Sequence, residues 1–378
     1  MTEEIIVENQ KAESTAPEAL PNLLSLLPEE LEALLLSCGE PKYRAKQMFP
    51  ELMKGKSPEE ITSIGKKTRE RLSTVSFHYL PLPERKLVSK LDGTVKYLFR
   101  LSDGNCVESV VMRYEHGNTI CISSQVGCRM GCRFCASTIG GRVRNLTPDE
   151  LIGQIIAAEK DLSERISNIV MMGIGEPLDN YDNVLKFLRL VNHESGLNIG
   201  YRHISLSTCG LCEKIDRLAE ENMPITLSIS LHAPDDETRS EIMPINRKYG
   251  VDLLLSTCRN YYKKTGRRIS FEYTLIAGKN DSEENARKLA KKLNRALRTR
   301  EETMPIHVNL IPVNEVEETG FVRSGKKAIA RFAAVLEENG IRATVRRKLG
   351  SDINASCGQL RRESQKEKDG ASEKNEER

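Results

Sequence analysis

Residues 121–138 read CISSQVGCRMGCRFCAST, and this stretch decides how the rest of the chain is read. Cys128, Cys132 and Cys135 stand at C-x3-C-x2-C spacing, with Cys121 seven residues upstream. Three thiolates within eight residues can wrap one corner of an inorganic cube, each binding one iron and leaving the fourth iron open. A closed structural metal site needs a fourth protein ligand, and no Cys or His follows within a short loop. The spacing therefore points to a [4Fe-4S] cluster held by Cys128, Cys132 and Cys135. A zinc ion completed by a distant histidine, or three unrelated core thiols, are the plainer alternatives.

Beyond this loop the chain alternates between strand-like and helix-like segments. Strands are expected at 119–123, 168–172, 203–207, 225–231, 269–276, 306–311 and 342–347. Helices are expected at 149–160, 181–191, around 214–221, on both sides of the strand at 269–276, and at 325–338. Six successive strand–helix units imply a parallel sheet but are too few for a closed eightfold barrel. The expected fold is α/β, an open partial (β/α)6 barrel spanning residues 119–362. Chemistry in such folds collects at the carboxyl ends of the strands.

Upstream, residues 77–118 read as a β-meander, with turn signals at Asp92-Gly93 and Asp103-Gly104. Glu108 sits in its last strand among Val107, Val110, Val111 and Met112. Alternation alone puts that carboxylate on the solvent face; otherwise it is set in a pocket. Residues 22–76 read as a small helical domain, with helices from Pro28, after Gly39-Glu40-Pro41, at Ser57–Glu60 and at Lys66–Leu72. Its Lys42, Arg44, Lys46, Lys66, Lys67, Arg69 and Arg71 form either a solvated face or a platform for RNA phosphates. The acidic residues 1–21 and the charged residues 363–378 lack the apolar content to fold.

The bulk numbers bound these readings. The 378 residues, 39% hydrophobic and 29% charged, suit one large α/β domain with a smaller one appended. A formal charge of +3 is too small to argue nucleic-acid binding by itself. The Glu-rich amino terminus is no secretory signal, and no apolar run could span a bilayer. With no export signal, the ten cysteines read as reduced thiols, metal ligands or catalytic groups in a cytoplasmic protein.

Short polar signatures recur at the expected strand ends. They are Gly173-Ile174-Gly175-Glu176-Pro177-Leu178, Ser207-Thr208-Cys209-Gly210, Ser230-Leu231-His232 and the Asn314 that follows the sixth strand. Glycines there would let backbone approach a ligand, and Glu176 could receive an ammonium. Each is weak alone, but four in succession after the cysteine loop favour a cofactor pocket. Cys357 adds a thiol on a small-residue loop, Asn354–Leu360, after the last strand.

These pieces together resemble the RlmN/Cfr family of radical SAM RNA adenine methyltransferases. The resemblance covers residues 25–362 and rests on the cysteine loop, Gly173–Leu178, Ser230–Ala233, Met243–Asn246 and Ala355–Leu360. Cys135-Ala136-Ser137-Thr138 and Gly175-Glu176-Pro177-Leu178 look like the branch that methylates adenine C2 and not C8. The segment after Asn314 departs from the Asn-Pro start common in the family, so its loop shape does not carry over.

The resemblance implies a scheme that uses two molecules of S-adenosylmethionine (SAM). Cys357 takes a methyl group by displacement, and Arg346, Arg347 and Lys348 favour its thiolate. A second SAM, chelated to the open iron, yields a radical that activates the S-methyl group. The resulting carbon adds to adenine, Glu108 accepts the ring proton, and Cys121 resolves the adduct through a transient disulfide. Gly175, Glu176, Ser207, Ser230, Leu231, His232 and Asn314 match SAM-binding positions. The implied substrates are an adenine of the 23S rRNA peptidyl-transferase centre and one in the tRNA anticodon loop. An electron donor such as flavodoxin or ferredoxin is implied, and the enzyme is expected to be a monomer. Cys38, Cys106, Cys209, Cys212 and Cys258 remain as structural thiols. The rivals are C8 methylation and a non-enzymatic zinc-binding RNA module.

Overall fold

The computed structural model describes residues 20–300, 303–315, 317–353, 355 and 360–361. Apart from Leu20 and Pro21, the latter accepting the Phe77 N–H at its carbonyl, the two expected disordered tails lie outside the described residues, as does Cys357.

Helices α1 (Pro28–Ser37), α2 (Tyr43–Met53) and α3 (Lys66–Val75) form the amino-terminal unit. The helix expected at Ser57–Glu60 is instead a series of turns. The Glu60 carboxylate accepts the Ser57 N–H at 2.7 Å, a cap-like bond with no helix behind it. The basic residues of this unit divide into two groups. Arg44, Arg69 and Arg71 donate to the carbonyls of Ser63, Ile61 and Cys38, so these three bind the unit together. Lys42, Lys46, Lys66 and Lys67 are exposed.

Strands β1 (Leu82–Val88), β2 (Val95–Arg100) and β3 (Cys106–Met112) make the expected meander, and β3 pairs antiparallel with β4 (Asn118–Cys121). The meander is thereby part of the main sheet. All seven residues of β3 are buried, so the solvent-face reading of Glu108 is wrong: the residue is 3% exposed. Sheet neighbours on one side and the C-terminal Leu360–Arg361 on the other cover a face that alternation alone assigned to water. A small hairpin, β5 (Gln125–Gly127) with β6 (Arg142–Asn145), brackets the cysteine loop.

The strand–helix alternation follows: α4 (Pro148–Leu162), β7 (Ile166–Met171), α5 (Tyr181–Asn192), β8 (Ile204–Thr208), α6 (Cys212–Glu220) and β9 (Thr226–Ser230). Next come α7 (Asp236–Ile242), α8 (Val251–Thr265), β10 (Ile269–Leu275), α9 (Glu283–Leu297), β11 (His307–Pro312), α10 (Lys326–Glu338) and β12 (Arg342–Val345). Among the described residues one ten-stranded sheet runs β1-β2-β3-β4-β7-β8-β9-β10-β11-β12, parallel from β4 onward. The sheet is open, as the unit count required.

Local chemistry explains the helix starts. Glu150 accepts the Thr147 N–H at the head of α4, Asp235 caps α7 through Thr238, and Ser282 caps α9 through Asn285. The parallel strands carry two different faces. In β10 Phe271, Tyr273 and Leu275 join the apolar core, whereas Ser270, Glu272 and Thr274 face the other way. β9 repeats the pattern with Leu227 and Ile229 against Thr226, Ser228 and Ser230. One side of the sheet is therefore core, and the other is a polar inner wall. No helix among the described residues is long and apolar enough to cross a membrane.

Candidate active site

A cavity opens at the carboxyl ends of β7 to β11. Its wall contains the three loop cysteines, Cys128, Cys132 and Cys135, together with Gly175, Glu176, Ser207, Ser230 and His232. Eight residues that the sequence singled out therefore meet in one place. A second cavity adjoins it, lined by Cys121, Asn314, Arg323, Arg346, Arg347, Lys348 and Ala355. Phe134, Cys135, Met172, Thr274, Ile311 and Arg346 line both.

Three expected residues stand elsewhere. Leu231 turns its side chain into the core, and only its backbone contributes, through an N–H bond to the Glu272 carbonyl at 3.0 Å. Glu108 lines neither cavity, although Val110 and Met112, on the same face of β3, line the second. Cys357 is outside the described residues, two positions beyond Ala355.

The cysteine loop is held from both ends. Gln125, fully buried, accepts the Glu176 N–H at 2.9 Å and donates to Asn145 at 2.8 Å and Asp179 at 3.0 Å. Asp179 also takes Arg142 at 2.9 Å and pairs with Arg129, next to the first cysteine. At the far end the Arg133 N–H donates to the Ile242 carbonyl at 2.9 Å. Burial would raise the Asp179 pKa, but the bonds from Arg129 and Gln125 prevail and hold it below the usual carboxylate value.

The glycines of residues 173–178 line the first cavity and also allow a second close approach. A Cβ on Gly173 would meet the Ile122 carbonyl oxygen at 2.5 Å, and one on Gly175 would meet Gln125 at 2.6 Å. Gly175 also has φ +107°, which favours glycine. Both glycines let the turn after β7 nest against the segment leading into the cysteine loop. They bring Glu176 and the cysteines into register.

Glu176 is fixed by the N–H groups of Leu178 at 3.1 Å and Cys209 at 2.8 Å. Burial pushes its pKa up, and these hydrogen bonds push back. His232 adopts φ 58°, in the left-handed region that a side chain rarely takes. Its N–H donates to the Glu272 carbonyl, and the Asn280 amide holds its own carbonyl at 2.7 Å. The Thr274 N–H donates to Nδ1 at 2.9 Å, so Nε2 carries the ring proton. Burial, with Arg239 nearby, lowers the His232 pKa to about 3 and keeps the ring neutral. Phe134 meets it edge-on at 5.0 Å.

The donor set fits an iron–sulfur cluster. Burial raises the Cys128 thiol to about 12 and Cys132 well above its usual value, and the neighbouring cysteines add to both. A bound metal's charge would be what draws the protons off these sulfurs. No three His, Cys, Asp or Glu groups among the described residues converge on a single-ion position. Ligands that each take a different iron need no such convergence.

Two site residues went unseen in the sequence. Arg239, 0% exposed, donates to the carbonyls of Leu231, Tyr249, Cys209 and Ser230 and to the Asn246 side chain, tying the ends of β8 and β9 together. Glu272 lines the first cavity, accepting from Asn309 at 2.6 Å and Ser270 at 3.0 Å. Burial raises its pKa, against Asn309 and Arg346. The polar half of the Ile269–Leu275 alternation was the signal that could have found it. The nine cysteines among the described residues are free thiols, so a standing disulfide finds no support. Burial raises the Cys209, Cys212 and Cys258 thiols, as suits inert structural groups.

Known proteins resemble the chain over nearly its whole length. A model of the radical SAM superfamily matches residues 122–290. A relative from Clostridium novyi (strain NT), called a probable dual-specificity RNA methyltransferase RlmN, is 51% identical over 91% of this chain and 98% of its own. One of the same description from Alkaliphilus oremlandii (strain OhILAs) is 52% identical over 90% of this chain and 97% of its own. The crystal structure of a radical SAM methyltransferase from Sphaerobacter thermophilus matches with a TM-score of 0.83 at 42% identity, covering 90% of this chain and 98% of that one. With its cysteine loop and strand-end residues gathered at one cavity, the chain belongs to the RlmN family of radical SAM RNA methyltransferases.

Proposed function

We propose that this methyltransferase places a methyl group on C2 of adenine, in the peptidyl-transferase centre of 23S rRNA and in the tRNA anticodon loop. The methyl group rests first on Cys357, and two SAM molecules are used per turnover. One observation carries this reading: the cavity holding the three loop cysteines shares a wall with the cavity holding Cys121, and Ala355 lines the latter two residues before Cys357. Cys121 thus opens on a space beside the proposed cofactor site, and Ala355, two residues before Cys357 in sequence, lines the same space.

Cys128, Cys132 and Cys135 would hold the cluster; with SAM bound it supplies electron-driven cleavage of the sulfonium and hence a hydrogen-abstracting radical. Glu176 orients the SAM ammonium, and Ser207, Ser230 and the Nε2–H of neutral His232 offer further polar contacts. Gly175, Asn314 and Leu231, the last through its backbone, complete the set carried over from the family. Arg346, Arg347 and Lys348, all exposed beside the second cavity, favour a thiolate at Cys357 and attract RNA phosphates. Glu108 accepts the ring proton and Cys121 attacks the sulfur of Cys357 to release the product. The amino-terminal unit, 22–76, adds RNA grip through Lys46, Lys66 and Lys67. A flavodoxin- or ferredoxin-type donor supplies electrons, and the enzyme works as a cytoplasmic monomer.

Anaerobic reconstitution with SAM and rRNA, followed by nucleoside mass spectrometry, tests the proposal. The expected product is 2-methyladenosine; 8-methyladenosine would establish the C8 reaction instead, and an unmethylated digest would refute both. Cys357→Ala should abolish methylation, whereas Cys121→Ala should trap a protein–RNA adduct.

A further inference from the structure

Lys96 lies in the middle of β2 and is 1% exposed, in a position where an apolar residue would pack at lower cost. Its Nζ stands 3.1 Å from Glu108 Oε2. Desolvating such a pair costs several kcal/mol per ion, and apolar residues of similar volume are often as stable or more so. Packing therefore gives no reason for a lysine here. The surroundings do.

In the β2–β3 register Lys96 faces Val110, and Val110 in turn faces Cys121 across the β3–β4 pair. The other oxygen of Glu108, Oε1, accepts the backbone N–H of Arg361 at 2.7 Å, four residues past Cys357. The carboxylate therefore sits between Lys96 and Arg361, on the strand that pairs with the one ending in Cys121.

We propose that Lys96 is a positioning residue for the proton transfer: it fixes the Glu108 carboxylate in one orientation and supplies the opposite charge that a buried carboxylate needs. The inference rests on reading Glu108 as the base. In that step the ring C–H bond breaks, an O–H bond forms at Glu108, and the bonding electron pair stays on the ring. Lys96 lines neither cavity and acts through Glu108.

The test uses the full-length, cluster-loaded enzyme under anaerobic conditions, with Lys96→Met, which removes the charge and keeps the reach of the side chain. Three quantities are read: methylation of Cys357 by peptide mass spectrometry, protein–RNA adduct on denaturing gels, and released methyladenosine. Cys357 methylation should stay at the wild-type level while adduct accumulates and product release falls about 100-fold, the low end of a general base's contribution. Lys96→Arg should recover part of the rate. Uniform loss of all three signals, or wild-type release, would overturn the inference. Should Lys96→Met fail to fold, Lys96→Gln is read on the same assays. Wild-type turnover by Glu108→Gln would instead remove the base reading itself.

Discussion

Replacing Arg239 with lysine tests whether the ends of β8 and β9 are held by a single side chain. The guanidinium makes five hydrogen bonds, from Nε to Leu231, from Nη1 to Asn246 and Tyr249, and from Nη2 to Cys209 and Ser230. Lysine keeps the charge but has only three donors on one point. At least two of these buried acceptors lose their partner, at about 1–3 kcal/mol each, giving ~2–6 kcal/mol. Against a total stability of about 5–15 kcal/mol that is a large fraction. Denaturant unfolding should register it as a lower midpoint at unchanged slope. Cys209, Ser230 and Leu231 belong to the segments that line or border the first cavity, the proposed SAM site, so SAM affinity should also fall, by about tenfold for each ~1.4 kcal/mol of lost orientation. A destabilisation under about 1 kcal/mol with unaltered SAM affinity would refute the argument.

Further perturbations read other parts of the site. Asp179→Asn should free the cysteine loop from Arg129 and Arg142, and a ferrous chelator should then strip iron several-fold faster than from the wild type. Because the folded Asp179 pKa lies below its ordinary value, the wild-type advantage in unfolding stability should be complete above about pH 4 and fade as pH falls through the folded value. Gly173→Ala should cost about 1–3 kcal/mol in a denaturation curve, since the added methyl meets backbone that has little room to yield. Cys132→Ser should give protein with little iron and no brown colour after anaerobic reconstitution; full iron content would remove Cys132 from the ligand set.

Much of the architecture was legible because its signals are local. The switch from alternating to helical periodicity located the parallel strands, and the glycine, proline and aspartate turns located the meander. The cysteine spacing needed no tertiary information. Glu108 was misread because its cover comes from Leu360–Arg361, some 250 residues away, which no pattern within β3 can reveal. Ser57–Glu60 carried a helix-start signature, but its single cap was satisfied by a turn. The glycines after β7 were rightly singled out, but no local pattern could show that they also approach Ile122 and Gln125. Arg239 escaped because an arginine in a charged helix reads as surface until five carbonyl and amide oxygens are found around it.

The central claim is that the transferred carbon lodges on a protein sulfur and is activated there by hydrogen removal. Its most direct test supplies SAM carrying a fully deuterated methyl group in ordinary water and weighs the methyladenosine released. The route through Cys357 gives up one deuterium to the cleaved cofactor and regains hydrogen from solvent, so the product should retain two of the three. Retention of all three would mean direct transfer from SAM to RNA, and would contradict the account.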